Sequence, residues 1–285
     1  MNSDDLPRWL NDPRRGPVVM GILNVTPDSF ADGGKFISPD AALAHAEAMA
    51  RDGADWIDVG AESTRPGSRR VSADDQLRRL GPLLVELRKR VSVVLSIDTT
   101  RALTAEAALD AGFDVVNDIS AGRDDEALFP LIARRGAPII LMHMQGEPAT
   151  MQHRPEYMNV TGEVSRFLTE RIGAAEGAGI RSDQILIDPG IGFGKTLRHN
   201  LQLLGDLPEL AKIGRPLVVG TSRKGFIEKV TGEAAATGRP FGTAATVAWS
   251  VARGAAAVRV HDVAAMARVV KMVQAMRSAE SGAVS

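Results

Sequence analysis

The stretch VVLSIDTTRALTAEAALDAGFDVVNDIS, residues 93 to 120, contains the unit that decides the fold. Two short apolar runs, VVLSID and DVVNDI, lie near its ends, and RALTAEAALDAG between them has the apolar spacing of a helix. The runs lack the alternation of strands with one solvated face, which is typical of strands buried on both faces of a parallel sheet. The stretch therefore predicts a strand, a crossover helix and a second parallel strand.

The same strand–helix unit recurs along the chain. Apolar runs occur eight times, at residues 18–25, 56–60, 93–98, 114–119, 138–143, 185–188, 216–220 and 256–260. Because segments with helical spacing separate them and no Pro/Gly/Ser-rich linker divides them, the sequence predicts a single-domain α/β fold, a (β/α)8 TIM barrel. The barrel is predicted for residues 17–278, after an N-terminal extension at 1–16 and before a flexible tail at 279–285. A doubly wound open sheet is the alternative, although eight units would be many for it.

Composition places the chain among globular proteins and narrows its partners. Of its 285 residues, 44% are hydrophobic and 24% are charged, and the net charge is −1. A chain without a basic field does not attract nucleic acid, so an anionic ligand has to be held by a local cluster. No apolar run of about eighteen residues occurs and no basic-then-apolar start, so we expect no membrane partner and a cytoplasmic location. The absence of cysteine excludes disulfides and thiolate chemistry.

Polar residues lie at the carboxyl ends of all eight apolar runs or shortly after them. They are, in chain order, Asn24; Glu62, Ser63, Thr64 and Arg65; Asp98; Asn117 and Asp118; His143; Asp188; Ser222, Arg223 and Lys224; and Arg259, His261 and Asp262. One such residue would be a common helix cap, but in a barrel of this kind the carboxyl ends of all strands converge on the active site. Eight converging polar ends therefore predict a functional site.

Three of these strand-end residues are rich in hydrogen-bond acceptors. Asp98, Asn117 and Asp188 lie at or near the carboxyl ends of the third, fourth and sixth runs, and their carboxylate and amide oxygens accept hydrogen bonds. Such a set fits the edge of a flat heterocycle that carries several N–H donors.

The basic strand-end residues suit a different group. Arg65, Lys224 and Arg259 can hold phosphates, and arginine also stacks on aromatic rings. Asn24 offers an oxygen ligand to Mg²⁺, which shares its coordination with substrate phosphates. Together the strand ends predict a site for a polar aromatic ring that carries an anionic leaving group.

The glycine-rich stretch IDPGIGFGKT, residues 187 to 196, resembles a P-loop in composition only. A P-loop needs a glycine five residues before the glycine that precedes its lysine, and counting back from Gly194 reaches Pro189. Lys195 is therefore interpreted either as a functional residue or as a solvated loop lysine. His143, which precedes another loop, is interpreted as a residue that orients the loop in preference to a metal ligand.

Two loops punctuated by glycine and proline follow the first two runs. NVTPDSFADGG at residues 24–34 and ESTRPG at residues 62–67 are interpreted as mobile lids, with Phe30 and Pro66 as their apolar contact points.

The motifs GILNVTPDSFADGG, DVGAESTRPG, SIDTT, VVNDIS, LMHMQGEPATMQ, IDPGIGFGKT, TSRKGF and VRVHDV occur in this order between residues 20 and 263. In this order they resemble the dihydropteroate synthases of folate biosynthesis. The resemblance implies a homodimeric transferase with a (β/α)8 barrel. It further implies that 6-hydroxymethyl-7,8-dihydropterin pyrophosphate and p-aminobenzoate are joined with the help of Mg²⁺, and that sulfonamide drugs compete for the p-aminobenzoate site.

The resemblance also assigns roles to residues. The pterin is expected to contact Asp98, Asn117, Met142, Asp188, Phe193, Lys224 and Arg259. The p-aminobenzoate site is expected to comprise Phe30, Thr64, Arg65, Pro66 and Ser222. The pyrophosphate is expected to be held by Asn24, Arg259 and His261, with Asn24 also the metal ligand. The catalytic set is expected to be Asp98, Lys224, Arg259 and His261.

The implied reaction is a dissociative substitution through a pterin-methyl cation. The chain departs from the commonest family pattern at Ala31, Ala61 and Gly225, none of which is a proposed catalytic group. Two alternatives of related fold are a methyltransferase that binds methyltetrahydrofolate and a catalytically inactive paralogue acting as a binding subunit. The first would not need the basic groups of the SRK and RVH motifs, and the second would be expected to lose them.

Overall fold

The computed structural model of the protein describes residues 1–26, 38–63, 67–68 and 70–280. Eight strands occur in these ranges: β1 Val18–Asn24, β2 Trp56–Gly60, β3 Val94–Asp98, β4 Val115–Asp118, β5 Ile139–Met142, β6 Ile185–Asp188, β7 Val218–Val219 and β8 Ala257–Val260. The α-helices in the same ranges are α1 Leu6–Asn11, α2 Pro39–Arg51, α3 Ala73–Leu80, α4 Leu83–Arg90, α5 Ala102–Asp110, α6 Leu128–Arg135, α7 Val160–Gly177, α8 Leu197–Gly205, α9 Leu207–Ala211, α10 Gly225–Thr231, α11 Pro240–Ala252 and α12 Val263–Glu280.

The strands pair in parallel and close on themselves. Their order in the sheet is β6-β5-β4-β3-β2-β1-β8-β7. A parallel bridge between Ile187 and Leu217 joins β6 to β7, and the Ile187 N–H donates to the Pro216 carbonyl at 3.0 Å. The (β/α)8 barrel predicted from the sequence is confirmed, and the open sheet is wrong because both of its edges are paired.

Alternate residues of each strand face the barrel interior, because successive side chains of a strand point to opposite faces. Toward the amino ends of the strands these inward residues are apolar and form one buried cluster, which includes Met20, Trp56, Val94, Ile140 and Leu186. The intervening residues pack outward against the helices in a second, larger cluster. The apolar filling ends below the carboxyl rim, where the inward residues become polar.

Residues 1 to 16, predicted as an extension, contain α1 and are packed against the barrel. The ring of Trp9 meets that of Trp56 edge to face, with centroids 5.4 Å apart, and its Nε1 donates to the Gly16 carbonyl at 2.9 Å. Leu6 and Leu10 are buried in the same interior cluster. Helix α1 therefore covers the amino end of the barrel and leaves the carboxyl end as the site of binding chemistry.

Two of the segments between strands each contain two short helices. Helix α3 ends at Gly81, whose φ of +44° is compatible with glycine, and Pro82 precedes α4. Helices α8 and α9 meet at Asp206. Helix α12 continues to Glu280, so the predicted tail begins inside a helix and its last five residues lie outside the described ranges. None of the helices in the described ranges is long and apolar enough to cross a membrane.

Candidate active site

The strand register places side chains from four strands in one layer at the carboxyl rim. Asn24, Gly60, Asp98 and Asn117 pair in turn across β1, β2, β3 and β4. A β-carbon on Gly60 would lie 3.5 Å from Asn24 Oδ1 and 3.6 Å from Asp98 Oδ2. The missing side chain at Gly60 leaves space between an amide oxygen and a carboxylate.

Arg259 on β8 reaches two carboxylates inside the barrel. Its Nε donates to Asp58 Oδ2 at 2.6 Å, and its Nη2 donates to Asp98 Oδ2 at 2.9 Å. Burial acts to lower the pKa of the Arg259 guanidinium, but the charges of the surrounding aspartates outweigh burial and raise it. Arg259 therefore stays charged and binds two buried carboxylates at once.

Asp98, the second carboxyl bonded to Arg259, has a raised pKa. Burial raises the pKa of its carboxyl to about 7, against the opposing effect of the Arg259 charge. The negative charges of Asp58, Glu62 and Asp118 add to the rise. A carboxyl with a pKa shifted in this way at the end of a barrel strand is typical of a functional site.

Asp188 at the end of β6, which is buried, and Lys224 after β7, which is half-buried, form a second set of opposite charges. Burial raises the pKa of Asp188, and the Lys224 charge opposes that rise. Burial lowers the pKa of Lys224 to about 8, and the Asp188 charge opposes that fall. The Lys224 ammonium donates to the Ile191 carbonyl and lies 4.4 Å from the centre of the Phe193 ring. Each charge thus favours the ionised form of the other.

The glycines of IDPGIGFGKT permit close packing of the backbone. Gly190 has a φ of +66°, and a β-carbon there would overlap the His143 carbonyl. Gly192 has a φ of +86°, and a β-carbon there would lie 2.7 Å from Lys224 Cδ. Only a residue without a side chain fits both the conformation and the space.

Lys195 is buried, so its interpretation as a solvated loop lysine is wrong. Its Nζ lies 2.9 Å from His143 Nδ1 and donates to the Phe193 carbonyl at 2.9 Å. Burial lowers the pKa of Lys195 well below its usual value, and burial together with the Lys195 charge lowers the pKa of His143 to about 2. The neutral imidazole accepts from Lys195 and ties the end of β5 to the loop after β6, in agreement with a loop-orienting role for His143.

His261 and Ser222 meet where β8 and β7 end. His261 Nδ1 lies 3.0 Å from Ser222 Oγ, which also accepts from the His261 backbone N–H at 3.1 Å. The next residues pair as well, with Arg223 Nε donating to Asp262 Oδ2 at 3.2 Å. These contacts join the loops after the last two strands.

An apolar wall adjoins the acceptor groups. Met142 is the register partner of Asp188 across β5 and β6. It belongs to a buried cluster with Ile119, Met144 and Met151, against which Phe193 packs. A ring that bonded to Asp188 would therefore meet apolar side chains beside it.

The structure brings most of the predicted site residues together at the carboxyl rim. Those described are Asn24, Asp98, Asn117, Met142, Asp188, Phe193, Ser222, Lys224, Arg259 and His261. Phe30, Thr64, Arg65 and Pro66 lie outside the described residues. Sequence reasoning missed Asp58, although a carboxylate inside the apolar run WIDVG, two residues before the strand ends, is a readable signal of an inward-facing polar group.

Comparisons with known proteins agree on one family. A family model for pterin binding enzymes matches residues 20 to 261. The dihydropteroate synthase of Synechocystis sp. is 46% identical over 258 residues, which is 90% of this chain and 89% of that protein.

Two solved structures of dihydropteroate synthases have the same fold. The Yersinia pestis enzyme with a sulfonamide drug has a TM-score of 0.88 at 42% identity and covers 92% of this chain and 95% of its own. The Xanthomonas albilineans enzyme in complex with 7,8-dihydropteroate has a TM-score of 0.83 at 40% identity, covering 94% and 95%.

We expect Asp98 to make stability depend on pH. Its folded pKa of about 7 lies above the ordinary aspartate value of 3.8, so the folded state binds the extra proton between these values. The contribution of Asp98 to stability is therefore complete below the lower value and is lost as pH rises through 7. The melting temperature of the wild type minus that of Asp98→Asn should fall between pH 5 and pH 8.

The matched control is Asp4→Asn, which removes an exposed carboxylate. Thermal unfolding followed by circular dichroism at each pH gives the comparison. A difference between wild type and Asp98→Asn that is constant from pH 5 to pH 8 would contradict a raised pKa at Asp98.

Proposed function

The chain belongs to the dihydropteroate synthases, a family of pterin-binding transferases. We propose the reaction that this chain catalyses and the role of each residue in its site. It joins 6-hydroxymethyl-7,8-dihydropterin pyrophosphate to p-aminobenzoate and releases pyrophosphate. The observation that carries this proposal is the convergence of Asp98, Asn117 and Asp188 with Lys224 and Arg259 at one rim of the barrel.

The acceptor layer suits the pterin ring. A pterin has an aminopyrimidinone edge with several N–H donors, which Asp98, Asn117 and Asp188 accept. Lys224 donates to a ring acceptor, and the planar guanidinium of Arg259 stacks on the ring face. Met142 and Phe193 supply the apolar contacts beside it.

The pyrophosphate is assigned to the ends of β1 and β8, where Asn24, Arg259 and His261 lie. Within the described residues no group of three or more His, Cys, Asp or Glu side chains is arranged to hold a metal. Mg²⁺ fits this site nevertheless, because it takes few protein oxygens and completes its coordination with water and substrate phosphates. Asn24, with its Oδ1 beside the space at Gly60, is the residue that would hold it. When bound, Mg²⁺ neutralises charge on the pyrophosphate oxygens.

The reaction is a dissociative substitution. The bond between the pterin methylene carbon and the pyrophosphate oxygen breaks, and its electron pair leaves with the pyrophosphate. The carboxylates of Asp98 and Asp188 stabilise the resulting pterin-methyl cation in a largely buried site, and Arg259 and His261 stabilise the departing anion. The neutral arylamine of p-aminobenzoate then attacks the methylene carbon and loses a proton, so a covalent protein nucleophile is not needed.

The p-aminobenzoate subsite is assigned to the mouth of the barrel around Ser222. Ser222 is buried and bonds to His261, which places it next to the pyrophosphate side. The other predicted members, Phe30, Thr64, Arg65 and Pro66, lie outside the described residues. Because the Yersinia pestis relative was solved with a sulfonamide drug, we extend to this chain the expectation that sulfonamides bind here.

The cytoplasmic location stays a prediction.

We further propose that the protein acts as a homodimer through an apolar face on neighbouring helices. Large exposed apolar side chains occur on α8, α10, α11 and α12: Leu201, Val230, Phe241, Trp249, Met272 and Met276. Helices α8, α10 and α11 contact one another, and α12 contacts α11. The Phe241 side chain is 88% exposed and that of Met272 is 60% exposed. Exposed apolar side chains on neighbouring helices are typical of protein interfaces, and a second copy of the chain matches the homodimer implied by the family resemblance.

We expect the protein to form dihydropteroate from pterin pyrophosphate and labelled p-aminobenzoate in the presence of Mg²⁺, and chelation by EDTA to stop the reaction. Asp98→Asn should lower turnover by ~10²-fold, the order observed when one preorganised electrostatic group is removed. Asp4→Asn is the control, because Asp4 lies at the opposite end of the barrel from the proposed site. Absence of product under conditions in which a known synthase is active would refute the proposed function.

The order of bond breaking can be observed in crystals. Crystals soaked with pterin pyrophosphate and Mg²⁺, without amine, should show a separate pyrophosphate, because departure does not require the nucleophile. Substrate that stays intact until p-aminobenzoate is added would favour direct displacement.

The dimer can be tested by sedimentation. We expect the wild type to sediment with twice the 30.3 kDa chain mass, and the double variant Phe241→Glu with Met272→Glu to sediment as a single chain, because two charges on an apolar interface oppose association. Leu103→Glu, a change on α5 at a side chain that is 60% exposed, is the matched control. A wild type that is monomeric at micromolar concentration would contradict the proposal.

A further inference from the structure

Asp58 lies directly below the proposed pterin site and is closed off from it. It occupies the middle of β2, two residues before Gly60, and therefore faces the barrel interior like the rim layer above it. The residue has no exposed surface. A ligand at the rim does not reach Asp58 without displacing the side chains above it, so any role in binding has to act through those side chains.

Two side chains assigned to the pterin both bond to Asp58. Arg259 Nε donates to Asp58 Oδ2 at 2.6 Å, and Asn117 Nδ2 donates to the same oxygen at 3.1 Å. The other oxygen, Oδ1, is buried and has no hydrogen-bond partner among the described residues. A buried carboxylate oxygen without a partner lowers the stability of the folded protein. The presence of Asp58 is therefore not explained by its contribution to stability.

From these contacts we infer that Asp58 is a positioning residue, which fixes Arg259 and Asn117 in the orientations that recognise the pterin. The inference rests on the proposed function for the identity of the ligand. Arg259 is planar, and bonds from Nε to Asp58 and from Nη2 to Asp98 define its plane. When a ring N–H donates to Asp98, Asp58 remains as the inaccessible partner that keeps Arg259 in place.

The same carboxylate decides which way the Asn117 amide points. An ionised carboxylate only accepts hydrogen bonds, so the amide nitrogen of Asn117 has to face Asp58. The amide oxygen then points away from Asp58 and presents an acceptor. Asn117 thereby joins Asp98 and Asp188 as an acceptor for ring N–H groups, which makes the pocket selective for a donor-rich edge.

The test compares Asp58→Asn and Asp58→Ala with Ser96→Ala. Ser96 is the register partner of Asp58 on β3, is equally buried, and its Oγ has no hydrogen-bond partner among the described residues, so its change alters the same layer without removing a bond. We expect KM for pterin pyrophosphate to rise by ~10- to 100-fold, the order seen when the supporting partner of a metal ligand is removed. The rise should be larger for alanine than for asparagine, and KM for p-aminobenzoate should change less than about twofold.

A purely structural role for Asp58 predicts a different result. Partial unfolding reduces the amount of active enzyme and so lowers kcat while both KM values stay as in the wild type. That outcome, or variants that match the wild type in every constant, would overturn the inference. A wild type that forms no dihydropteroate would refute the proposed function instead and would leave the positioning of Arg259 to a second measurement.

The second measurement needs no activity. The Nε–H signal of Arg259 in ¹H–¹⁵N spectra, assigned by its absence from Arg259→Lys, should be protected from solvent exchange in the wild type and in Ser96→Ala and should lose protection in Asp58→Ala. It should also persist when 6-hydroxymethylpterin is added to the wild type, which tests the inference even if the Asp58 variants do not fold. Loss of the signal on adding the pterin, or its survival in a folded Asp58→Ala, would show that Asp58 does not hold Arg259.

Discussion

The alternation of side chains along closed parallel strands is the constraint on which the rest of this structure depends. Every second residue of each strand points into the barrel, and the interior has to be filled. In the amino-terminal half the filling is apolar and continuous with α1, whose Trp9 packs on Trp56. In the carboxyl-terminal half the same inward positions carry Asp58, Asp98 and Arg259, so the change from apolar to polar along the strands creates the site.

Burying so many charged groups is unfavourable unless they neutralise one another. Arg259 does this for Asp58 and Asp98, and Lys224 does it with Asp188. Removing one member of such a set leaves an uncompensated buried charge, which is why these groups hold their neighbours in defined positions. The same arrangement of paired charges therefore keeps these groups ionised and holds them in position to recognise a polar ring.

The sequence predicts the barrel well because its signal is local and repeated. Each apolar run coincides with an observed strand to within two residues at either end, and the polar residues at the strand ends lie on the rim. Contacts between distant residues could not be predicted: Arg259 and Asp58 are 201 residues apart, and only closure of the barrel makes them neighbours. The burial of Lys195 was equally hidden, because its partner His143 lies on a different loop.

The covered amino end of the barrel has a consequence for engineering. Residues such as Val94 and Leu186 belong to the same buried apolar cluster as Trp9 and Leu10 of α1, and neither is a register partner of a residue assigned to substrates. A designer who wishes to raise thermal tolerance can therefore repack the amino end of the barrel. The same end can be attached to a support to immobilise the protein. The charged side chains at the carboxyl rim then stay as they are, so thermal stability and chemistry can be altered independently within one small domain.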